Sequence, residues 1–485
     1  MAKKKAVVEE VENDSGVMAD IEEAVGSGKA VKFNLNAWLQ ATVDEVSRKQ
    51  GVDADPMEDL IPMSTGFLML DIMYGGGIRP AMYTHAGEEQ TAKTTLALAE
   101  MVQAINVGVP LIAFWDYEGS TKNSKPYIRS ILKTMGANIS LAEIFGKKDK
   151  ETGKWVVAPR IQYFPETIGE KFFDWLAEIE RRMPDKRLIG GDWWLVYEDS
   201  KVNRAAIGDA HDPKMSKKYG KGLWVPAPDG NLQAMIIVDS WAAMNPESND
   251  EENADNSLSV QARFFSKHLP RIKGRLAKKM IAVVGMNQLG DIPMAMYGPK
   301  QKESGGNKLR YNSDVRIWNT KRASGMYFAY ENMFDKEDST EKERSVTGKG
   351  KDSYRYIQSK TVKNKLSTPG RKGWFRIWVE DAEGNGCGFD PFYDTMVYLL
   401  ETGQLSGNRK KLVLSIDGQP EISKPANWMQ MKEWVLGTKE QKQKVCKELG
   451  IAKPFDLRKY LFKQVASGKG ESLYVAAKDA KKATE

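Results

Sequence analysis

A segment that begins at Gly87 has the residue types and the spacing needed to bind phosphate groups. It follows an apolar run that ends at Ala86 and comes directly before the helix-like run 96–99. In such a strand, loop and helix, backbone N–H groups and the helix N-terminus face phosphate oxygens. We expect Lys93 to reach the β- and γ-phosphates and Thr94 to hold Mg²⁺. The predicted nucleotide-binding residues of this loop are Gly87, Glu88, Glu89, Gln90, Thr91, Ala92, Lys93, Thr94 and Thr95.

One position departs from this pattern, because Ala92 stands directly before the lysine, where such loops carry glycine. Glycine there permits a positive φ and a close approach of the backbone to the ligand. The alternative interpretation is a chance string of this composition at the start of a helix. The loop therefore needs support from residues elsewhere in the chain.

Two carboxylates follow the next apolar run, 111–115, and supply part of that support. Asp116 and Glu118 would both project from the carboxyl end of a strand, where open α/β sheets bind ligands. We predict that Asp116 belongs to the nucleotide site and that Glu118 polarises a water molecule against the γ-phosphate. The alternative is that either carboxylate caps the helix that follows.

Asp239 and Gln288 end two further apolar runs. We expect Asp239 to share the Mg²⁺ with Thr94, and the amide of Gln288 to touch the γ-phosphate and report its hydrolysis to the segment 289–307. That segment combines glycines with lysines and tyrosines, which is typical of a mobile loop that orders on a nucleic-acid backbone. On its own, the same segment would be interpreted as a solvated surface loop.

The chain as a whole has the composition of a large soluble protein. Its 485 residues allow two or three domains, and its net charge of +7 is a mild excess that suits a polyanionic partner. We expect a cytoplasmic location and no membrane partner, because no run is long enough to span a bilayer and no secretory signal follows Met1. The few scattered cysteines and histidines predict neither a disulfide framework nor a zinc site.

The order of apolar runs predicts an α/β fold with a mostly parallel twisted sheet and helices on both faces. We expect strands at 111–115, 161–164, 234–238, 281–284 and 315–318, and helices at 35–49, 127–135, 171–183, 259–279, 428–436 and 455–465. The predicted parts are an N-terminal helical arm (1–62), a core (63–392) and a small C-terminal α+β domain with a solvated basic tail (393–485). Two insertions interrupt the core, at 184–230 and at 325–351.

Several short strings occur in an order that resembles the RecA-type DNA strand-exchange recombinases, in their bacteriophage branch. Hexameric helicases of related fold lack the GGN and KNK strings, so the combination is specific. The resemblance covers about 64–392 without the two insertions. The strings are STG at 64–66 before Leu70-Asp71, the phosphate loop, DYE at 116–118, VDS at 238–240, NQ at 287–288, GGN at 305–307, VR at 315–316 and VKNK at 362–365.

The resemblance implies a RecA-like P-loop ATPase core that uses ATP and Mg²⁺. Tyr127 would stack on the adenine, and the catalytic residues would be Glu118, Lys93, Gln288, Lys363 and Lys365, of which the last two reach the ATP of a neighbouring subunit. A first DNA loop at 245–257 would lead into the DNA-binding residues Arg263, Ser266 and Arg271. The second loop would add Met294, Met296, Tyr297, Gly305, Gly306 and Asn307. The subunit interface would contain Arg310, Tyr311, Lys363, Lys365 and the helix 35–49.

We therefore expect a DNA-dependent ATPase that forms a homo-oligomeric helical filament on single-stranded DNA and exchanges strands with double-stranded DNA. Mediator or single-strand-binding proteins would be further partners, and a phage-encoded chain would work in the host bacterial cytoplasm. One alternative is a ring-forming DNA motor of the same fold. Another is a non-hydrolysing filament protein, which only Ala92 favours. The insertion 184–230 also has two interpretations, a surface that contacts DNA or the filament exterior, and a packed decoration.

Overall fold

The computed structural model describes residues 62–119, 121, 125–137, 139–227, 230–247, 257–291, 301–322, 339–340, 353–380 and 386–484. The predicted helix 35–49 lies outside these residues, as does almost all of the insertion 325–351. The strands are β1 Met82–Gly87, β2 Leu111–Asp116, β3 Lys147–Lys148, β4 Trp155–Val157, β5 Gln162–Pro165, β6 Asp185–Ile189, β7 Asp192–Tyr197, β8 Leu223–Pro226, β9 Ala234–Asp239, β10 Ile281–Asp291, β11 Gln301–Glu303, β12 Val315–Arg322, β13 Ser339–Thr340, β14 Ser353–Asn364, β15 Lys372–Glu380, β16 Gly386–Phe389, β17 Leu405–Asn408 and β18 Lys411–Leu414. The helices are α1 Leu68–Tyr74, α2 Lys93–Val107, α3 Lys125–Thr134, α4 Leu141–Phe145, α5 Gly169–Arg182, α6 Lys201–Ile207, α7 Pro213–Tyr219, α8 Ser257–Leu276, α9 Gly306–Asn312, α10 Pro391–Glu401, α11 Trp428–Leu436, α12 Lys439–Glu448, α13 Leu457–Ala466 and α14 Lys469–Thr484.

A large mixed sheet organises the core. Its main path runs β16-β15-β14-β12-β1-β10-β9-β2-β5, with β11 paired to β10 and β13 to β14. The neighbours from β12 to β5 are parallel, whereas β14, β15 and β16 extend the sheet with antiparallel pairing. The α/β fold with a mostly parallel central sheet is therefore confirmed.

Side chains alternate between the two faces of this sheet and build a hydrophobic core on each. On β2, Ile112 and Phe114 join the core that contains α2. Ala113 and Trp115 join the core that contains residues of α5 and α8. Strands covered on both faces carry continuous apolar runs, and every residue of β9 is buried accordingly.

The STG string has a structural role at the entry to the core. Ser64 Oγ donates to Asp71 Oδ2 at 2.6 Å, and the backbone N–H of Thr65 donates to Asp71 Oδ1 at 2.7 Å. Burial raises the pKa of Asp71 to about 7. Asp71 lies in α1, whose residues are all buried, so these hydrogen bonds compensate for a carboxyl group removed from water.

The C-terminal residues pack on the same core. Tyr398, Trp434 and Leu461 belong to the hydrophobic cluster that contains α2. The basic end of the chain belongs to the helix α14, Lys469–Thr484. Tyr474 is buried in α14, and Glu471 pairs with Arg371. These two contacts anchor a helix that also carries several lysines.

The described residues divide into two compact units, one of residues 184–230 and one that contains residues 62–183 and those from 231 onward. Within 184–230, β6, β7 and β8 form an antiparallel sheet, and α6 and α7 lie between β7 and β8 in the chain. Ile189, Val196 and Trp224 form its core, and Trp194 packs against them. Part of the aromatic content of this segment therefore serves its own folding.

Candidate active site

Parallel strands end at one edge of the sheet and bring predicted site residues together. Gly87 at the end of β1 is in register with Gln288 on β10, and Asp116 on β2 is in register with Asp239 on β9. A cavity of about 400 Å³ opens at this edge. Its lining consists of Glu89, Gln90, Thr91, Ala92, Lys93, Thr94, Thr95, Glu118, Tyr127, Asp239, Gln288, Arg355 and Ile377.

The loop between β1 and α2 keeps the shape of a phosphate cradle although Ala92 is not glycine. Ala92 adopts the left-handed conformation, with φ 62° and ψ 23°, and is the N-cap residue of α2. Gln90 also has a positive φ, 61°. At Gly87 a Cβ atom would lie 2.3 Å from Thr91 Oγ1, so only glycine fits there. The loop therefore keeps its shape with alanine in place of glycine, and the backbone is strained at Ala92.

Replacing Ala92 by glycine tests that strain. We expect Ala92→Gly to raise the free energy of unfolding by about 1 kcal/mol, because glycine enters the left-handed region without a Cβ clash. Ala142→Gly, at an exposed position of α4, is the matched control and should lower it by about 1 kcal/mol. Thermal unfolding of both variants gives the comparison. A destabilised Ala92→Gly variant would contradict a strained loop.

Lys93 lies folded back onto its own loop. Its Nζ donates to Gly87 O at 2.9 Å and to Glu88 O at 2.6 Å. Burial lowers the pKa of Lys93, and the carboxylates of Glu118 and Asp239 oppose that effect. An ammonium held by two carbonyl oxygens within reach of a cavity is placed to transfer to phosphate oxygens, which are stronger partners.

Thr94 and Asp239 form the pair of oxygen ligands predicted for a metal ion. Thr94 Oγ1 donates to Asp239 Oδ2 at 2.9 Å. Burial is the main cause that raises the pKa of Asp239 to about 7, and repulsion from Glu118 is the second. Among the described residues, no group of three or more His, Cys, Asp or Glu side chains could hold a metal. A hydroxyl and one carboxylate suit Mg²⁺, which completes its shell with water and phosphate oxygens.

Glu118 and Gln288 lie next to each other in the wall of the cavity. Glu118 Oε1 accepts a hydrogen bond from Ser240 Oγ at 2.7 Å and lies 3.5 Å from Gln288 Nε2. Ser240 directly follows Asp239, so the carboxylate is tied to the strand that carries the predicted metal ligand. The arrangement places a carboxylate and an amide side by side next to the phosphate loop.

The structure gives Asp116 different surroundings. Its carboxylate is buried and accepts hydrogen bonds from the backbone N–H groups of Gly119 (2.8 Å) and Thr121 (3.0 Å) and from Tyr163 Oη (2.7 Å). Asp116 is absent from the cavity lining. These contacts are made before α3 begins at Lys125, and they fix the segment that carries Glu118.

The cavity wall also contains a residue that the sequence patterns did not reveal. Arg355 on β14 places Nη1 3.5 Å from Gln90 O. Tyr127, on the other side, shares a hydrogen bond between its hydroxyl and Thr95 Oγ1. No motif marks Arg355, because it reaches the site only through the order β14-β12-β1 in the sheet.

The predicted DNA-binding residues lie on α8, on α9 and beside β11. Arg263, Ser266 and Arg271 are exposed on α8 at helical spacing, and Ser266 Oγ donates to Ala262 O within that helix. Gly305 and Gly306 have positive φ values at the start of α9, and Asn307 is exposed. A Cβ on Gly306 would lie 2.9 Å from Ala262 Cβ, so glycine lets α9 pack on α8. Met294, Met296 and Tyr297 lie outside the described residues.

The strand that ends the second predicted DNA loop contacts the phosphate loop directly. Gln301 Nε2 donates to Glu88 Oε1 at 2.5 Å. The same strand is anchored by Glu303, which is buried and accepts hydrogen bonds from Arg316 Nε (3.1 Å) and Trp318 Nε1 (2.6 Å). The Gln301–Glu88 hydrogen bond therefore joins the phosphate loop to β11.

The lysines of the KNK string lie away from this cavity. Lys363 on β14 is in register with Arg316 on β12, which is in register with Thr84, before the phosphate loop begins. Lys363 Nζ donates to Arg310 O at 3.0 Å and Tyr311 O at 2.8 Å.

The edge of the sheet that holds Lys363 carries several positively charged side chains. Burial, together with repulsion from Lys365 and Lys273, lowers the pKa of Lys363 to about 8. The structure thus brings the four predicted interface residues together, while Lys363 and Lys365 stay outside the cavity of their own chain.

A larger cavity, of about 1130 Å³, is lined by α3, α4 and β5 and carries none of these groups. Its wall combines apolar side chains with Lys125, Arg129 and Lys133. We place the candidate active site in the smaller cavity because the carboxylates, the amide and the phosphate loop converge only there among the described residues.

Part of this chain is similar in sequence to known proteins. Residues 229–382 match the family model of the RecA N-terminal domain. Protein RecA of Borrelia hermsii is 31% identical over 191 residues, which cover 35% of this chain and 48% of that protein. Protein RecA of Thermus aquaticus is 30% identical over 220 residues, which cover 41% of this chain and 57% of that protein. The chain thus spans about half the length of the curated relatives it matches.

The RecA-family match holds Asp239, Gln288, Lys363 and Lys365, whereas the phosphate loop and Glu118 precede it. The sheet joins the two parts, because β9 and β10 from the matched residues pair with β2 and β1. Among the described helices, none is both long and apolar enough to cross a membrane.

Proposed function

We propose that this chain is an ATP-dependent recombinase, which forms a helical filament on single-stranded DNA and promotes homologous pairing and strand exchange. One observation carries the proposal. Lys93, Thr94, Glu118, Asp239 and Gln288 line a single cavity beside the strand that ends the predicted DNA loop. The last two of these residues lie in the segment that matches the model of the RecA N-terminal domain.

In this function each residue has a defined task. Lys93 and the backbone N–H groups of the loop bind the β- and γ-phosphates, and Thr94 and Asp239 hold the cation. Bound Mg²⁺ neutralises charge that develops on the phosphate oxygens. Glu118 orients and deprotonates a water molecule in line with the γ-phosphate. Gln288 contacts the γ-phosphate and passes its loss to β11.

The function would require two subunits for each active site. Lys363 and Lys365 are positive, lie at the far edge of the sheet and do not line their own cavity. In a filament they would neutralise charge on the nucleotide of the adjoining subunit, so that ATP binding and assembly form one linked equilibrium. The first DNA contacts would come from Arg263 and Arg271, mainly with phosphates.

The alternatives from the sequence have less support. Ala92, the residue that favours a non-hydrolysing protein, adopts the backbone conformation that glycine would take. A ring-forming motor predicts closed hexamers, which negative-stain images with DNA and ATP would distinguish from filaments. The bacteriophage branch and the mediator partners stay predictions.

The deciding measurement is the ATPase rate of the full chain with and without single-stranded DNA. We expect stimulation of about tenfold or more, because DNA assembles the sites between subunits. Strand exchange between a circular single strand and a linear duplex is then followed on gels. A rate that DNA leaves unchanged would contradict the proposal.

Arg355 is expected to strengthen nucleotide binding. Arg355→Gln removes a guanidinium from the cavity wall, and the dissociation constant for ATP should rise about tenfold, the loss of one charge-assisted contact. Lys360→Gln, on the same strand but absent from the cavity lining, is the matched control. Fluorescence titration with a labelled ATP analogue gives both constants. Equal affinities would exclude Arg355 from the site.

Lys363 is expected to act on the neighbouring subunit. Lys363→Ala should reduce DNA-stimulated ATPase about 100-fold, as the loss of one transition-state contact does, while monomers bind ATP normally. Mixing this variant with Glu118→Gln distinguishes an active site shared between subunits from one formed within a single subunit. Each mixed interface that joins an intact cavity to an intact Lys363 should recover activity. A mixture without any recovered activity would contradict a shared site.

A further inference from the structure

We propose that the 184–230 module binds double-stranded DNA through the lysine face of α7. We define the lysine face as Lys214, Lys217, Lys218 and Lys221, of which the last follows the helix C-cap. This inference rests on the proposed function, in which a duplex is the second substrate of strand exchange. It assigns that duplex a site separate from the residues proposed for the single strand.

The fold of the module directs these lysines outward. Lys214, Lys217 and Lys218 have helical spacing on α7 and are exposed, as is Lys221. The opposite side of the helix is fixed, because Met215 and Tyr219 pack against the core of the module. Ser216 Oγ also donates to Gly222 O at 2.5 Å, which ties the helix to the following turn.

The charge on this face is not compensated nearby. Residues 213–227 contain four lysines and no acidic residue. Asp199 pairs with Arg204, and Asp212, the N-cap of α7, accepts a hydrogen bond from Lys214 N. Within the described part of the chain, no carboxylate forms an ion pair with the four lysines. Such a single-sign surface attracts a polyanion.

The aromatic residues of the module indicate a duplex rather than a single strand. Single-strand sites use exposed rings on which unpaired bases stack. Here Trp224 is fully buried, Trp194 and Tyr219 pack on the core, and Trp193 lies with Lys186 Nζ above its ring. Lysines without a stacking surface contact only phosphates, and a duplex presents phosphates at the higher density.

The test uses the full chain with Lys→Gln substitutions at all four lysines of the face. We expect affinity for a duplex to fall at least about tenfold at low salt, and the slope of log K against log salt to become shallower by about 3. The ATPase stimulated by single-stranded DNA should stay unchanged. The control with the same change in charge carries Lys→Gln at the exposed residues Lys147, Lys148, Lys150 and Lys154, and it should keep the duplex affinity.

The outcomes distinguish a failure of the lysine-face proposal from a failure of the proposed function. Unchanged duplex affinity, an equal loss in the control, or an equal loss for single-stranded DNA would overturn the lysine face. Lys→Arg at the same four positions preserves the charge and should preserve binding. If the unmodified chain shows no DNA-stimulated ATPase, the proposed function fails instead. Thermal unfolding midpoints confirm that each variant is folded.

Discussion

Lys93→Ala should abolish nucleotide-dependent filaments and lower ATP hydrolysis by at least about 100-fold, the effect of removing one charged group from a transition state. Lys93 Nζ is held by Gly87 O and Glu88 O inside the loop, so its loss leaves the phosphates without their nearest cation. Filament length by electron microscopy and phosphate release give the two readouts.

The control for this variant is Lys133→Ala, which removes an exposed lysine near the end of α3. It should keep filaments and ATPase. Long filaments formed by Lys93→Ala on DNA without nucleotide would contradict the link between nucleotide binding and assembly. Binding of ATP by the variant with normal affinity would contradict the placement of the phosphates.

Glu118→Gln should separate assembly from hydrolysis. The amide keeps the shape of the side chain but cannot accept the proton of the attacking water, so ATPase should fall by about 100-fold to 10,000-fold. Filaments should still form with ATP and should persist on DNA, because hydrolysis is the step that loosens them. The dissociation rate from labelled single-stranded DNA after a competitor chase measures this persistence.

Glu89→Gln provides the matched comparison, since Glu89 is another carboxylate in the wall of the same cavity. That change should leave hydrolysis within about threefold of the unmodified chain, as expected for a group outside proton transfer. Rapid release of Glu118→Gln from DNA would show that hydrolysis does not drive dissociation.

The sequence predicts the convergence of the site because parallel strands bring their carboxyl ends to one edge. Asp239 and Gln288 could be placed from the apolar runs before them, and β9 and β10 are indeed neighbours. Asp116 has the same sequence signal, but its buried carboxylate is bonded to the backbone of the following segment. Position at a strand end alone does not distinguish a residue that lines the cavity from one that fixes the adjacent loop.

Other features could not be predicted because they depend on contacts distant in sequence. Arg355 enters the cavity wall through the antiparallel extension of the sheet, which no local pattern announces. In α14 the buried Tyr474 and the Arg371–Glu471 pair dock a helix whose composition suggests a tail. The left-handed Ala92 is also hidden, because propensity alone argues against it.

The hydrogen bond between Gln301 and Glu88 has a consequence for how the protein would be controlled. Equilibrium influence between two ligands is mutual by thermodynamic necessity. If bound nucleotide raises the affinity of the protein for a polynucleotide through this hydrogen bond, then bound polynucleotide must raise the affinity for the nucleotide by the same factor. The nucleic acid would then serve as an effector as well as a substrate, and ATP would be retained where a strand is present.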